Sequence, residues 1–114
     1  MDIKVLASSS SANCYRISDG KTALLLECGL RIQDIKRRLD YKLSDITACL
    51  ITHEHKDHSK AVKDVIKSGI DVYMSEGTKT VLGVSGHRVQ IIKAREQFRV
   101  GSFKILPFDT QHDA

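Results

Sequence analysis

Tryptophan is absent from this chain of 114 residues, and its other large rings are only three Phe and three Tyr. So sparse a set leaves little material for a platform on which nucleic-acid bases could stack. No stretch approaches the roughly 20 consecutive apolar residues that a membrane span requires, and the polar N-terminus does not read as a secretory leader. No membrane role is therefore expected. Cysteines number three, an odd count without framework spacing, which argues against a disulfide scaffold and for a reducing compartment, the cytoplasm. Cys14, Cys28 and Cys49 fall in predicted strands and are expected to be buried thiols rather than metal or redox groups. Internal repeats, linkers and low-complexity tracts are also missing, so residues 1–114 read as one domain.

What is present is ordinary for a globular domain: 41% hydrophobic and 28% charged residues. The formal charge of +4 permits a phosphate-rich partner without establishing one. Lys36-Arg37-Arg38, the densest basic run singled out, reads as a solvated helix face.

Alternation of Ile3, Val5 and Ala7 predicts a first strand over Ile3–Ala7. Ser8 to Ala12 follows as a small polar loop whose serines suit side-chain-to-backbone turns; a nucleophilic role would need a base and an orienting group that cannot be assigned. Asn13 to Ile17 is a second strand, Ser18-Asp19-Gly20-Lys21 a hairpin turn, and Thr22 to Glu27 a third strand. Continuous Leu24-Leu25-Leu26 implies cover on both faces of that strand. Ile32, Ile35 and Leu39 predict an amphipathic helix over about Arg31 to Asp40, and Thr47 to Thr52 is a strand. Ala61, Val62, Val65 and Ile66 share one helical face, so a helix is expected to run to Ser68, with Gly69 ending it. A short strand over Ile70 to Met74 leads to Ser75, a fitting N-cap for a helix reaching Leu82. His87, alone in a turn, is an expected exposed bystander. Val89 to Ile92 is a strand, and Gln97 to Val100 with Phe103 to Leu106 flank a Gly101-Ser102 hairpin. The succession predicts an α+β fold.

Chemistry concentrates in His53-Glu54-His55-Lys56-Asp57-His58, which holds three of the five histidines. The tract sits at a strand-to-helix junction, where α/β proteins place their sites. His53 and His55, two apart on an extended segment, point the same way and can share one borderline-soft cation. Asp57 and His58 come as the chain turns into a helix and suit a second ion, with Asp57 ligating or orienting a water. The two histidines lack the i, i+4 spacing of the zincin proteases. The competing reading is a solvated, accidental histidine tract, and the internal position between two periodic elements argues against it.

At His53, His55, Asp57 and His58 the chain resembles the metallo-β-lactamase-fold hydrolases, whose signature is H-x-H-x-D-H after a buried strand. Ser8-Ser9-Ser10-Ser11-Ala12-Asn13-Cys14-Tyr15 and Leu24-Leu25-Leu26-Glu27-Cys28-Gly29-Leu30 resemble the family's first two segments, closest to its small bacterial and phage phosphodiesterase- or nuclease-like members. The resemblance covers essentially the whole chain but only the first half of a usual family domain. It implies half of an αββα sandwich, a mixed sheet with helices on one face. It also assigns His112 to the family's third metal-binding histidine; the competing reading is a frayed terminal residue. Glu27 stands where the family usually carries an Asp that supports the metal loops, and a plain salt bridge is an equal alternative for it.

The resemblance thus implies a metal set of His53, His55, Asp57, His58 and His112. Zn²⁺ is the expected ion, one or two per chain, with Mn²⁺ or Fe also tolerated by such donors. An ion on His53, His55 and His112 would acidify a bound water to a pKa of about 7 for attack, and Asp57 is the expected catalytic carboxylate. Basic charge and the nearest-looking branch tip the substrate toward a phosphodiester, including nucleic acid. Because the family's bridging aspartate and further histidine do not follow before Ala114, two expectations stand. Either the natural polypeptide continues into a C-terminal half, or this half pairs with another chain, for example as a homodimer. The alternative to a hydrolase is a noncatalytic metal-binding half-domain that self-associates through the face its other half would cover.

Overall fold

The computed structural model describes residues 1–108. Six strands form one sheet in the order β1-β2-β3-β4-β5-β6: β1 (Asp2–Ser8), β2 (Asn13–Ser18), β3 (Ala23–Leu26), β4 (Ile46–Leu50), β5 (Asp71–Met74) and β6 (Val89–Ile91). β1–β2 and β2–β3 pair antiparallel, whereas β3 to β6 run parallel. The sheet is therefore mixed. The parallel strands need crossovers, and these are helical: α1 (Ile32–Arg38) between β3 and β4, α2 (Lys56–Ser59) with α3 (Val62–Lys67) between β4 and β5, and α4 (Glu76–Leu82) between β5 and β6. A separate hairpin, β7 (Phe98–Val100) and β8 (Phe103–Ile105), closes the described chain. Among the described residues no helix is long and apolar enough to cross a membrane.

The triple leucine shows how the layers form. Leu25 is fully buried in the main core with Ile35, Val62, Val65 and Met74, on the helix side of the sheet. Leu24 points the other way, into a smaller cluster with Ala48 and Val100, against which Phe98, Phe103 and Ile105 of the hairpin pack. Cover on both faces of β3 is thus met by helices on one side and by the hairpin on the other. Thr22 anchors the hairpin turn: its Oγ1 accepts from the Ser102 amide at 3.0 Å, and Ser102 Oγ donates to Asp19 at 2.5 Å. A Cβ on Gly101 would lie 2.3 Å from Thr22 Oγ1, so glycine is needed there for the close approach.

Several expected boundaries move for physical reasons. In β1 the buried side chain is Leu6, while Ile3 and Val5 are 64% and 58% exposed; a bulge between Val5 and Ala7 breaks the simple alternation. The third strand stops at Leu26 because Glu27 takes a left-handed φ of +66°. Cys28 therefore lies beyond the strand rather than in it, though buried like Cys14 and Cys49. The strand before the histidine tract ends at Leu50 rather than Thr52. The helix expected to run unbroken to Ser68 is split, because the Ala61 amide donates to the Cys28 carbonyl (3.0 Å) instead of to its own helix. Other signals hold: Ser75 Oγ accepts from the Thr78 amide at 3.1 Å, Gly69 ends α3 at φ +86°, and His87 is exposed.

Candidate metal centre

Two loops meet at the end of the β3–β4 pair, and close backbone approach locks them together. Beyond β3, the Cys28 amide donates to the His58 carbonyl (2.8 Å), the Cys28 carbonyl accepts from Ala61 (3.0 Å), and the Gly29 amide donates to the Asn13 carbonyl (2.8 Å). A Cβ on Gly29 would sit 1.8 Å from the Asp57 carbonyl oxygen and 2.9 Å from the Asn13 amide nitrogen. Glycine is required here by lack of room. The histidine tract is thus pressed against Glu27-Cys28-Gly29, and Asn13 Nδ2 lies 3.4 Å from both the backbone and side-chain oxygens of Asp57.

Glu27 is the hub of the site. It is only 4% exposed, and its two carboxylate oxygens accept from three donors. Oε1 takes the Thr52 amide at 2.8 Å, while Oε2 takes the Thr52 hydroxyl and lies 2.5 Å from His58 Nδ1. With its one proton given to Glu27, the Thr52 hydroxyl must accept from His53 Nδ1, 2.8 Å away. Both imidazoles thereby carry Nδ1–H and present Nε2 as the ligating nitrogen. A carboxylate fixing the far nitrogen of a histidine is the usual arrangement behind a metal-binding imidazole.

The donor set suits a cation. Glu27, His53 and His58 bring ligand-type atoms within 4.8 Å of one another, and with Glu27 taken up by Thr52 and His58 Nδ1 it is the imidazoles that are left to face an ion. His58 Nε2, a lone pair once Nδ1–H faces Glu27, lies 3.1 Å from Asp57 Oδ2. Two acceptor atoms so close repel unless a proton or a metal ion lies between them. The His53 ring sits 5.0 Å from that of His58 and stacks at 6.1 Å on that of His55.

The sequence-predicted residues are thus placed as follows. His53, His55, Asp57 and His58 lie together on the tract, with His53 and His58 drawn toward Glu27; His112 lies outside the described residues. Glu27, read from sequence as either a loop support or a salt bridge, supports the loop through Thr52 and meets His58 Nδ1 in a contact that is an ion pair only when His58 is protonated. Thr52 was not singled out, and its signal was only its position directly before His53. The thiols are buried: Cys14 is pushed up to about 12, first by burial and then by Cys28 and Glu27 nearby. Cys49 is also raised, first by its hydrogen bond with Cys28 and then by burial. An open groove of about 600 Å³ borders His53, lined also by Ser75, Thr78, Phe98, Ile105 and Phe108.

A family model described as "Metallo-beta-lactamase superfamily" matches residues 9–108. The chain is 32% identical over 121 residues to "Exodeoxyribonuclease WalJ" of Streptococcus pneumoniae, covering 96% of this chain and 45% of that protein. It is 25% identical over 126 residues to "Exodeoxyribonuclease YycJ" of Bacillus anthracis, covering 100% and 47%. The chain therefore spans about half the length of these relatives. Among solved structures, the metallo-beta-lactamase fold protein YhfI of Bacillus subtilis superposes with a TM-score of 0.76 at 14% identity, covering 98% of this chain and 54% of that one. With the mixed sheet, the loop carrying His53, His55, Asp57 and His58, and a match over residues 9–108, this chain belongs to the metallo-beta-lactamase superfamily.

Proposed function

We propose that this chain is the metal-binding half of a metal-dependent phosphodiesterase acting on nucleic acid. The observation that carries this reading is the Glu27 hub, which sets the tautomers of His53 and His58 and brings His58 Nε2 within 3.1 Å of Asp57. In this reading His53, His55 and His112 hold a first ion, and Asp57 with His58 holds a second. Zn²⁺ is the favoured ion, and Mn²⁺ or Fe suits the same donors. When bound, the metal supplies acidified water and positive charge against the developing negative charge of the reaction. The chain's own groups do the positioning. Glu27 locks the imidazoles, Asn13 steadies Asp57, and the Asp57 carboxylate accepts a hydrogen bond from the attacking water, as its catalytic role. The groove beside His53 receives the scissile phosphodiester. Support for nucleic acid as substrate comes from the exodeoxyribonuclease relatives and the formal charge of +4. Three unpaired buried thiols suit the reducing cytoplasm as its location.

Elemental analysis of untagged protein, followed by hydrolysis of an end-labelled oligodeoxynucleotide, tests this. Expected are at least one ion per chain and cleavage that chelator abolishes and Asp57→Ala removes. Protein that retains no metal refutes the reading.

A second reading, a noncatalytic half-domain that self-associates, is favoured by one observation. Ile3 and Val5 on the edge strand and Phe108 beside the groove are 64%, 58% and 73% exposed. Light scattering separates the two: a monomer at every concentration excludes self-association, whereas a metal-loaded dimer without hydrolytic activity excludes the enzyme.

A further inference from the structure

Leaving the metal loop, the chain presents a row of lysines along the outside of the helical layer. Lys56 and Lys60 are one turn apart on and just after α2, and Lys63 and Lys67 are one turn apart on α3. All four are exposed, while Ala61, Val62 and Val65 on the opposite side are buried in the main core. Among the described residues, none of the four lies within ion-pair distance of a carboxylate; the described pairs engage Lys4, Arg31, Arg37, Arg88 and His58 instead. Asp64 is the one exposed acid on α3, and it sits beside the row. Like charges one turn apart repel one another mildly, and a polyanion relieves that repulsion.

Position makes the row more than a solvated face. It begins at the residue after His55, so a chain of phosphates lying on it runs directly into the histidine tract. It also lies on the helix side of the sheet, opposite the apolar face covered by the β7–β8 hairpin. A partner or further segment packing on that apolar face leaves the lysines accessible.

We infer that Lys56, Lys60, Lys63 and Lys67 form a track for the sugar–phosphate backbone of a single nucleic-acid strand, guiding it to the metal centre; this rests on the nucleic-acid reading above. Within each pair the two lysines lie about 6 Å apart along the helix axis, the axial length of about two nucleotides of one strand. Contacts of this kind are to phosphate, so the track is indifferent to base sequence. That fits a protein with few aromatic rings on which bases could stack.

The test is fluorescence anisotropy of the full chain with a labelled, hydrolysis-resistant phosphorothioate 20-mer across a salt series. The variant is Lys60→Ala/Lys63→Ala/Lys67→Ala, which spares the residue next to the metal ligands. The control is Lys21→Ala/Lys36→Ala/Lys42→Ala, which removes the same charge from exposed sites elsewhere. The track variant is expected to bind on the order of 10²-fold more weakly at about 50 mM salt, with a salt slope shallower by about 2. The control stays within about threefold of the parent. Equal losses in both variants would mean that only net charge matters, and an unaffected track variant would mean the strand lies elsewhere; either overturns the track and leaves the nucleic-acid reading standing. A parent chain that holds metal but binds no oligonucleotide even at low salt overturns both.

Discussion

Replacing Gly29 by alanine adds a single methyl group, yet it should cost as much as many core truncations. The new Cβ would be built 1.8 Å from the Asp57 carbonyl oxygen, 2.3 Å from its carbon and 2.9 Å from the Asn13 nitrogen. Every one of those atoms is backbone, so no flexible side chain can swing aside. The φ of Gly29 is not in the left-handed region, which makes the penalty one of contact rather than of dihedral strain. Relief requires the loop beyond β3 to retreat from the histidine tract by more than an ångström. That retreat breaks the bonds from Cys28 to His58 and from Ala61 to Cys28, and strains the one from Gly29 to Asn13. At about 1 kcal/mol for each broken bond and less for the strained one, the loss is about 2–3 kcal/mol, which lowers the melting temperature by about 10 °C. The same retreat withdraws Glu27 from His58, so zinc affinity should fall by about 10- to 100-fold. Thermal unfolding followed by circular dichroism, and zinc competition with a chromogenic chelator, read the two effects separately. Gly77→Ala is the control. It lies inside α4 with no atom within 4 Å of its built Cβ, and it should stabilise by about 0.5–1 kcal/mol. A Gly29→Ala protein that melts and binds zinc like the parent would refute the close-approach argument.

Glu27→Gln keeps the volume but puts an NH₂ where one of two accepting oxygens stood, so one N–H must confront the Thr52 or His58 donors. Zinc affinity is expected to drop about 10- to 100-fold, and unchanged competition curves would remove Glu27 from the site. At the hairpin, the hydrogen bond from Ser102, followed by those from the Thr22 and Lys21 amides, holds the Asp19 carboxyl at about 2, below its ordinary 3.8. A depressed folded value stabilises above pH 3.8 and is lost as the pH falls through about 2. The hairpin should therefore loosen in that window, and near-UV circular dichroism should register it through Tyr73, stacked 5.1 Å from Phe98. Asp19→Asn should flatten that acid response, and an identical response in the mutant would exclude the mechanism. Finally, the three thiols should be inert to a chromogenic disulfide reagent in the native state and all react in urea; rapid native reaction would contradict their burial.

The sequence alone determined the kind of elements around the site and marked the residues from which a metal centre is proposed. The residues of H-x-H-x-D-H are neighbours in the chain, so the motif is legible without any tertiary information. The leucine run of β3 declared its two-sided burial, and Ser75, Gly69 and Gly101-Ser102 declared a cap, a helix end and a turn, because each signal acts over a few residues. Tertiary structure decided what depends on partners far along the chain. Glu27 became the hub only when Thr52 and His58, separated from it by 25 and 31 residues, were folded onto it. The helix after the tract broke at Ala61 because the carbonyl of Cys28 offered its amide a partner outside the helix. The bulge in β1 left Ile3 and Val5 exposed despite an alternation that reads as buried. Periodicity reports which face is apolar, but only long-range backbone hydrogen bonding determines where that face is interrupted and which carboxylate reaches which imidazole.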